Sequence, residues 1–274
     1  MISFPNAKIN LGLHIVAKRP DGFHNIETVF YPIALADALE FVETEQGKAT
    51  SLVLSGIPVD GVIEDNIVLK AYQLLAADYD LPPLSIYLQK NIPLGAGLGG
   101  GSADAASMLL MLNQEYDLHL SQTKLEQYAA RIGADCPFFI QNRPVYATQK
   151  GEIMSPVSLD LSQYYLVVVK PPVHVNTAMA YAACTPKFPN HSLTELIKQP
   201  VATWKNVLRN DFEVPIFAQY PIIKQIKNQL YDLGAVYAAM SGSGAAVFGL
   251  FSTQIALDKH FASYYSWQGK VERI

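Results

Sequence analysis

The sequence predicts an α+β fold divided into two lobes, and three observations support this prediction. Stretches with the alternation of a strand and stretches with the periodicity of a helix occur in mixed order along all 274 residues. Half of these residues are hydrophobic and 16% are charged, which is typical of a compact chain that buries about three quarters of its unfolded surface. Pro171 and Pro172 end an apolar strand and begin an irregular connection, so the lobes are expected to meet nearby, with an approximate division into residues 1–160 and 161–274.

The first predicted element is a half-buried strand over residues 8–15, because polar and apolar side chains alternate there. Its apolar face carries Ile9, Leu11, Leu13 and Ile15, and its polar face carries Lys8, Asn10, Gly12 and His14. Pro20 and Gly22 stand where a tight turn needs them, so the chain is expected to return as a strand over residues 23–31. This hairpin places Lys8 and Asn10 on a single surface.

The same criteria give the remaining elements in order. Strands are predicted at residues 52–54, 84–88, 164–170 and 245–251, and helices at residues 66–78, 102–115, 121–133 and 222–233, followed by a last helix and strand. Ser121 is expected to be an N-cap, whereas Gly133 and Gly234 are expected to end their helices in the left-handed conformation. Asp135 therefore lies at the exit of a helix.

Composition excludes several classes of function. The formal charge of −4 and the pI near 5.9 argue against a surface built for nucleic acid, which needs clustered Lys and Arg. Cys136 and Cys184 are too few for a disulfide framework and lack metal-binding spacing, so reduced thiols are expected. The N-terminus does not resemble a secretory leader, and long apolar runs are absent from the sequence. We therefore expect a soluble cytoplasmic protein that binds neither nucleic acid nor a membrane.

A glycine-rich loop lies between the strand at residues 84–88 and the following alanine-rich helix. Its five glycines occupy seven positions: Gly95, Gly97, Gly99, Gly100 and Gly101. Such a loop allows a ligand to approach the main chain closely, and the helix that follows directs unpaired N–H groups and its positive dipole end toward the same point. A flexible linker is the alternative, but linkers seldom carry a residue such as Leu98 or flank an amphipathic helix. The loop therefore predicts a phosphate site.

The glycine-rich loop matches two known phosphate-binding patterns only in part. Gly95, Gly97 and Gly100 satisfy the dinucleotide pattern GxGxxG, but a second helix is predicted where that fold requires a parallel return strand. Gly95, Gly100 and Ser102 fall in place for a P-loop, but Gly101 occupies the lysine position. A cation must then come from elsewhere, and Lys8 and Mg²⁺ are the candidates.

Residues 93–102 resemble the second signature of the GHMP small-molecule kinases. Residues 8–11 with 21–24, residues 133–137 and residues 241–245 also occur in the order found in that family, so that the resemblance covers nearly the whole chain. It implies an N-terminal lobe like a domain of ribosomal protein S5 that binds ATP and catalyses, and a ferredoxin-like C-terminal lobe on the substrate side. It also implies ATP-dependent transfer of a phosphoryl group to an alcohol, with Mg²⁺ accompanying ATP.

Within the family, the segment 21–24 and Tyr181 resemble enzymes of non-mevalonate isoprenoid biosynthesis that phosphorylate a hydroxyl of a cytidyl diphosphate-linked polyol. Mevalonate, homoserine and galactose remain alternative acceptors. A monomer or weak homodimer is expected. Outside the kinases, a nicotinamide-dependent oxidoreductase is supported by the GxGxxG pattern and opposed by the absent return strand. A noncatalytic RNA-binding or scaffold protein is opposed by the acidic charge balance.

The resemblance also assigns roles to residues. Asp135 matches the catalytic base and Lys8 its partner, although outside this context a turn carboxylate and a solvated lysine would be the ordinary interpretations. Ser102 is interpreted as a helix N-cap, a contact to phosphate or Mg²⁺, or both. No protein ligand for the metal is predicted. The predicted ATP-binding residues are Pro93, Leu94, Gly95, Ala96, Gly97, Leu98, Gly99, Gly100, Gly101, Ser102 and Ala103; the predicted substrate-binding residues are Asn10, Phe23, His24 and Tyr181; and the predicted anion-binding loop is Ser241, Gly242, Ser243 and Gly244.

Two of the substrate positions carry a further expectation. Phe23 stands where relatives often have tyrosine, so a ring that can stack on cytosine is kept and the hydroxyl is lost. Tyr181 matches an aromatic position proposed to cover the other face of the base, and ordinary packing is the alternative.

Overall fold

The computed structural model describes residues 1–45 and 48–272, which form two compact units. The first unit comprises Met1–Ala7, Leu35–Leu94 and Gly99–Asn142. The second comprises Lys8–Ala34, Gly95–Leu98 and Arg143–Ile274, of which the last two residues lie outside the described range. The chain therefore passes between the units several times, and the glycine-rich loop contributes residues to both.

Strands and helices follow one another in the mixed order that the sequence predicts. The strands are β1 (Ile2–Ser3), β2 (Asn6–Lys18), β3 (His24–Ala36), β4 (Ala38–Glu43), β5 (Ser51–Gly56), β6 (Leu84–Lys90), β7 (Val145–Gln149), β8 (Ile153–Pro156), β9 (Tyr165–Lys170), β10 (Tyr237–Met240), β11 (Val247–Phe251) and β12 (Tyr265–Lys270). The helices are α1 (Ile67–Ala76), α2 (Gly100–Glu115), α3 (Gln122–Ile132), α4 (Cys136–Gln141), α5 (Thr177–Ala182), α6 (Leu193–Leu196), α7 (Val201–Val207), α8 (Glu213–Gln219), α9 (Pro221–Asp232) and α10 (Leu257–Phe261), and a 3-10 turn spans Ile63–Asp65.

The first unit packs helices on one sheet. Its strands lie in the order β1-β4-β6-β5, with β4 antiparallel and β5 parallel to β6. Helix α2 contacts α1, α3 and α4 as well as the sheet. Its small alanine side chains permit this close approach from several sides, and the helix is buried over most of its length. The glycine-rich loop therefore leads directly into the centre of this unit.

The second unit contains two sheets, ordered β2-β3-β7-β8 and β10-β11-β9-β12. One apolar cluster joins side chains of β2, β3, β9, β10 and β11 to those of α5, α8 and α9. The continuous apolar run of β9 is explained by its central position between β11 and β12, where its interior residues are buried. Helix α9 ends with Gly234 at φ +97°, as expected for a left-handed residue after the last turn.

Three local predictions are wrong. Strand β2 is buried on both faces as far as Leu13, and not only on the apolar one, because Lys8 and Asn10 form hydrogen bonds inside the protein. Helix α2 begins at Gly100 with Gly99 as its N-cap, so Ser102 is not the cap. Gly133 has an extended backbone with φ −171°, and a Cβ there would lie 3.2 Å from Cys136 Sγ, so the close approach of the thiol favours glycine.

Two further features were not expected. Asp135 is the N-cap residue of the short helix α4, so it lies between two helices and not only at the exit of α3. The connection after Pro172 contains helix α5, which carries Tyr181. Within the described ranges, every helix falls short of the length and apolarity that a membrane crossing requires.

Candidate active site

The glycine-rich loop uses backbone conformations that other residues rarely adopt. Gly95, Gly97 and Gly99 have φ angles of +57°, +74° and +73°. A Cβ on Gly97 would lie 2.0 Å from the carbonyl oxygen of Ser241, and a Cβ on Gly95 would lie 2.8 Å from His174 Nδ1. Helix α2 begins immediately after the loop and presents its N-terminal N–H groups there. The glycines are therefore required both for chain direction and for close packing.

Three predicted motifs meet in one hydrogen-bonded network of the second unit. The Lys8 N–H donates to the Leu98 carbonyl at 2.9 Å, and Ser241 Oγ donates to the Gly97 carbonyl at 2.8 Å. Asn10 Oδ1 accepts from Lys8 Nζ at 2.8 Å and from Ser241 Oγ at 3.4 Å. Residues more than 230 positions apart in sequence thus fix the carbonyl groups of the glycine-rich loop.

Lys8 is buried, with 4% of its surface exposed. Its ammonium group lies 4.7 Å from the centre of the Phe30 ring and donates to Asn10, whose Nδ2 in turn donates to Thr28 Oγ1 at 2.9 Å. A lysine removed from water must be compensated by acceptors or by an aromatic face, and both are present here. Its Nζ is consequently fixed in position instead of being a mobile surface charge.

The loop at residues 241–244 is held by an asparagine that the sequence analysis missed. Asn210 Nδ2 donates to the carbonyls of Met240 and Gly242, both at 2.8 Å, and its Oδ1 accepts from the Phe212 N–H at 3.0 Å. Ser243 Oγ lies 3.0 Å from Thr177 Oγ1. No local pattern marks Asn210, because the two carbonyls that it holds lie 30 or more residues away.

The segment that carries Asp135 lies next to the start of α2 within the first unit. The hydroxyl of Ser102, in the first turn of α2, is hydrogen-bonded to the Cys136 thiol, and a Cβ on Gly133 would lie 4.0 Å from Ser102 Oγ. Asp135 itself is half-buried, and its carboxyl does not cap α4. Burial raises the pKa of Cys136 to about 11, so this thiol is not a nucleophile at neutral pH. The predicted base and the phosphate-loop serine therefore share one neighbourhood.

The predicted substrate residues lie in the second unit at the hairpin between β2 and β3 and in α5. Arg19 Nε pairs with Asp21 at 3.1 Å, and Asp21 Oδ1 accepts from the Phe23 N–H at 3.1 Å, so that the turn is fixed. The ring of Phe23 is 59% exposed, with Lys150 Nζ 5.0 Å from its centre. This leaves an aromatic surface available to a ligand.

His24 and Tyr181 are brought together. Their rings stack with centres 5.0 Å apart and an interplanar angle of 14°, and Tyr181 also meets Phe212 edge to face at 4.9 Å. Burial, together with the charge of Lys18, lowers the pKa of His24, so its imidazole is neutral at neutral pH. In the structure Tyr181 therefore stacks on His24, whereas the ring of Phe23 lies against the ammonium group of Lys150.

In the part of the chain that the structure describes, no three His, Cys, Asp or Glu side chains are grouped as a metal centre would require.

This fold and this loop define a nucleotide-dependent phosphotransferase. Residues 66–143 match the N-terminal domain of the GHMP kinases, and residues 192–262 match their C-terminal domain. The chain belongs to the GHMP kinase family. It is therefore an ATP-dependent enzyme that phosphorylates a small molecule.

Individual relatives and solved structures show which kinases of this family the chain is similar to. The chain is 56% identical over 260 residues to a 4-diphosphocytidyl-2-C-methyl-D-erythritol kinase of Bacteroides fragilis, which covers 94% of this chain and 95% of that protein. It is 52% identical to a kinase of the same name from Parabacteroides distasonis, over 99% of this chain and 100% of that one. A solved structure of 4-(cytidine 5'-diphospho)-2C-methyl-D-erythritol kinase superposes with a TM-score of 0.85 at 31% identity, covering 98% of each chain. A mevalonate kinase of Methanococcus jannaschii, at 12% identity and a TM-score of 0.69, shares the fold.

Proposed function

We propose that the chain transfers the γ-phosphoryl group of ATP to the 2-hydroxyl of 4-diphosphocytidyl-2-C-methyl-D-erythritol, giving the 2-phosphate and ADP, in non-mevalonate biosynthesis of isoprenoid precursors. The relatives at 52–56% identity carry the name of this kinase and match over nearly the whole chain. The structural observation that carries the proposal is the network in which Lys8, Asn10 and Ser241 meet the carbonyls of Gly97 and Leu98. This network joins predicted catalytic, substrate and anion-binding groups to the phosphate loop.

The chemistry assigns a separate task to each group. The carboxylate of Asp135 accepts the proton of the acceptor hydroxyl. At the same time the hydroxyl oxygen bonds to the γ-phosphorus, and the bond between that phosphorus and the ADP oxygen breaks. Lys8 orients the hydroxyl and offsets the negative charge that develops on the transferred group. The N–H groups of the glycine-rich loop and of the first turn of α2 hold the polyphosphate.

Mg²⁺ is proposed to enter with ATP. Magnesium sites in kinases commonly use few protein ligands, since phosphate oxygens and waters complete the octahedron. Ser102 fits this role, because its hydroxyl lies in the first turn of α2 beside the segment that carries Asp135. A bound Mg²⁺ would neutralise charge on the phosphates.

Asn10, Phe23, His24 and Tyr181 are proposed to bind the cytidyl end of the acceptor. The exposed ring of Phe23 supplies a face for the base, while the neutral His24 and the amide of Asn10 supply hydrogen-bonding groups. Tyr181 supports His24 through the stacked pair.

Tyr181→Ala is expected to raise the KM for the cytidyl alcohol about 10-fold or more and to leave the KM for ATP unchanged, because it removes the ring that holds His24 in place, and a base–aromatic contact contributes about 1–3 kcal/mol. Steady-state kinetics with each substrate varied in turn measure the effect. Phe188→Ala is the matched control, since Phe188 is also an aromatic residue of the second unit but is 73% exposed. An equal rise in both KM values, or none in either, would contradict the assignment of Tyr181.

The acceptor is tested by measuring ADP release with a panel of alcohols. The cytidyl alcohol is expected to give a kcat/KM at least about 10²-fold above those of mevalonate, homoserine and galactose, because these lack the base that Phe23 and His24 would contact. A higher value for any of the other three would replace the proposed acceptor. Turnover of a nicotinamide cofactor without ADP release would instead support an oxidoreductase.

Further proposals concern the whole molecule. We propose a cytoplasmic enzyme that acts as a monomer or weak homodimer, with an N-terminal lobe of about residues 1–160 that carries the ATP-binding and catalytic groups and a C-terminal lobe of about residues 161–274 that carries Tyr181 on the substrate side. Light scattering of the purified chain measures the oligomeric state. A stable higher oligomer would contradict that part of the proposal.

A further inference from the structure

A buried charged cluster, defined by Lys90, Asp37 and Asp104, lies at the base of the glycine-rich loop. Each of the three residues is at most 2% exposed. Lys90 Nζ donates to Asp104 Oδ2 at 2.6 Å and also to Asp37 Oδ2. The Lys90–Asp37–Asp104 cluster therefore places two carboxyl groups around one ammonium, an arrangement with net charge −1 if both carboxyls are ionised.

The two carboxyl groups differ sharply in their hydrogen-bond partners. Asp37 Oδ1 accepts from the N–H groups of Asn91 and Ile92 at 2.5 and 2.8 Å, and its Oδ2 accepts from Lys90. Asp104 accepts from Lys90 alone, and within the described part of the chain its Oδ1 has no hydrogen-bond partner. A buried carboxylate needs donors at both oxygens, so Asp37 is suited to the ionised form and Asp104 is not.

The environment of Asp104 favours its protonated form. Burial raises the pKa of Asp104 well above its ordinary value, and the charge of Asp37 and a side-chain hydrogen bond with Asp37 act in the same direction, against the opposing effect of Lys90. Two carboxyl groups that share one ammonium repel each other when both are ionised, and this repulsion favours a proton on one of them. With one proton on Asp104, the cluster has an ionised Asp37, a cationic Lys90 and no net charge.

The cluster connects both ends of the loop. Lys90 is the last residue of β6. Asp37 accepts hydrogen bonds from the N–H groups of the two residues that follow Lys90 and so fixes their position. Asp104 belongs to α2, which begins where the loop ends. A Cβ on Gly100 would lie 2.8 Å from Ile92 Cγ2 and 3.4 Å from Lys90 Nζ, so the start of the helix packs directly on this base.

We propose that the Lys90–Asp37–Asp104 cluster positions the glycine-rich loop for ATP, and that a proton on Asp104 keeps the cluster neutral. The proposal rests on the proposed function, in which this loop holds the polyphosphate of ATP. Lys90 is a positioning residue, since it is enclosed by protein groups and acts through the strand and the helix that it joins. Loss of the proton places an uncompensated negative charge beneath the phosphate site, which weakens ATP binding.

The sign of the pH dependence follows from the raised pKa. The folded protein binds this proton more tightly than the unfolded chain does, so the stabilisation is present at low pH and is lost as the pH rises through the folded-state pKa of Asp104. Asp37 and Lys90 are the charged groups that act on it within the cluster. Asparagine at position 104 mimics the protonated acid, because its amide donates a hydrogen bond to Asp37 without adding charge.

The proton is tested by infrared spectroscopy of the full chain at neutral pH without nucleotide. The wild type is expected to show the carbonyl stretch of a protonated carboxylic acid, and Asp104→Asn is expected to lack it. Asp65→Asn, at an exposed carboxylate, is the control and should keep the band. A wild-type spectrum without the band, or a band that Asp104→Asn retains, would overturn the assignment of the proton.

The positioning role is tested by ATP titration. Asp104→Asn is expected to bind ATP within about 2-fold of the wild type and to lack the weakening that is expected of the wild type at alkaline pH. Lys90→Met is expected to bind ATP at least 10-fold more weakly, with an unchanged KM for the alcohol at saturating ATP. Lys90→Met combined with Asp37→Asn removes both buried charges and provides a folded variant if the single one is unstable. ATP affinity equal to the wild type in the folded double variant would overturn the role of Lys90. Failure of the wild type itself to bind ATP, with the infrared band present, would instead contradict the proposed function.

Discussion

Asp135→Asn is expected to lower kcat by about 10²–10⁴-fold while the Kd for ATP stays within about 2-fold of the wild type. The amide has nearly the same shape as the carboxyl group but cannot accept the proton of the attacking hydroxyl. Since the Asp135 carboxyl does not cap α4, its replacement is expected to leave that helix intact. Single-turnover rates and nucleotide titration measure the two quantities separately.

The comparison for Asp135 is Asp65→Asn, which also neutralises an aspartate of the first unit but at an exposed site. Its kcat is expected to equal that of the wild type. Turnover of Asp135→Asn near the wild-type rate would reject Asp135 as the base. Loss of ATP binding together with kcat would show that its role is to hold the nucleotide site.

Gly97→Ala is expected to weaken ATP binding at least about 10-fold and to lower the free energy of unfolding by about 1–3 kcal/mol. The added methyl group would lie 2.0 Å from the Ser241 carbonyl oxygen, a distance that neither backbone segment can accept without moving. The residue also has φ +74°, which is strained for any side chain. Isothermal titration with ATP and chemical denaturation measure the two effects.

Gly234→Ala provides the control for Gly97. Gly234 also has a left-handed backbone, with φ +97°, but a Cβ there would meet no atom within 4 Å. This variant is expected to lose some stability through backbone strain and to keep wild-type ATP affinity, since Gly234 follows α9 and lies outside the glycine-rich loop. An equal loss of ATP affinity in the two variants would show that glycine at position 97 has no special role.

Features encoded locally could be predicted from the sequence. The turn around Pro20 and Gly22, the N-cap at Ser121 and the left-handed Gly234 each depend on residues within a few positions, and the structure confirms them. The glycine-rich loop is also encoded locally, because the residues that determine its conformation and start the following helix lie in one short segment. The family fold followed from the order of such segments.

Features that depend on distant partners could not be predicted. The burial of Lys8 requires Phe30, Asn10 and the Leu98 carbonyl, and nothing in the alternating pattern of β2 shows that its polar face would be covered. Asn210 acts on residues about 30 positions away. The Lys90–Asp37–Asp104 cluster joins positions separated by up to 67 residues, so only the folded chain reveals that the three charges meet.

The short helices could not be predicted from the sequence either. Helices α5, α6, α7 and α8 contain between four and seven residues each. An element of at most two turns presents too few residues to establish a period of 3.6, so tertiary packing decides its conformation. The segment that carries Tyr181 was therefore expected to be irregular although it is helical.

Phosphorus NMR of the wild-type reaction with ATP and the cytidyl alcohol tests the central claim most directly. Equal amounts of ADP and a new phosphomonoester on the 2-hydroxyl of the acceptor are expected, with the diphosphate of the acceptor unchanged. ADP accompanied only by inorganic phosphate, or a phosphoryl group attached at another position of the acceptor, would contradict the account.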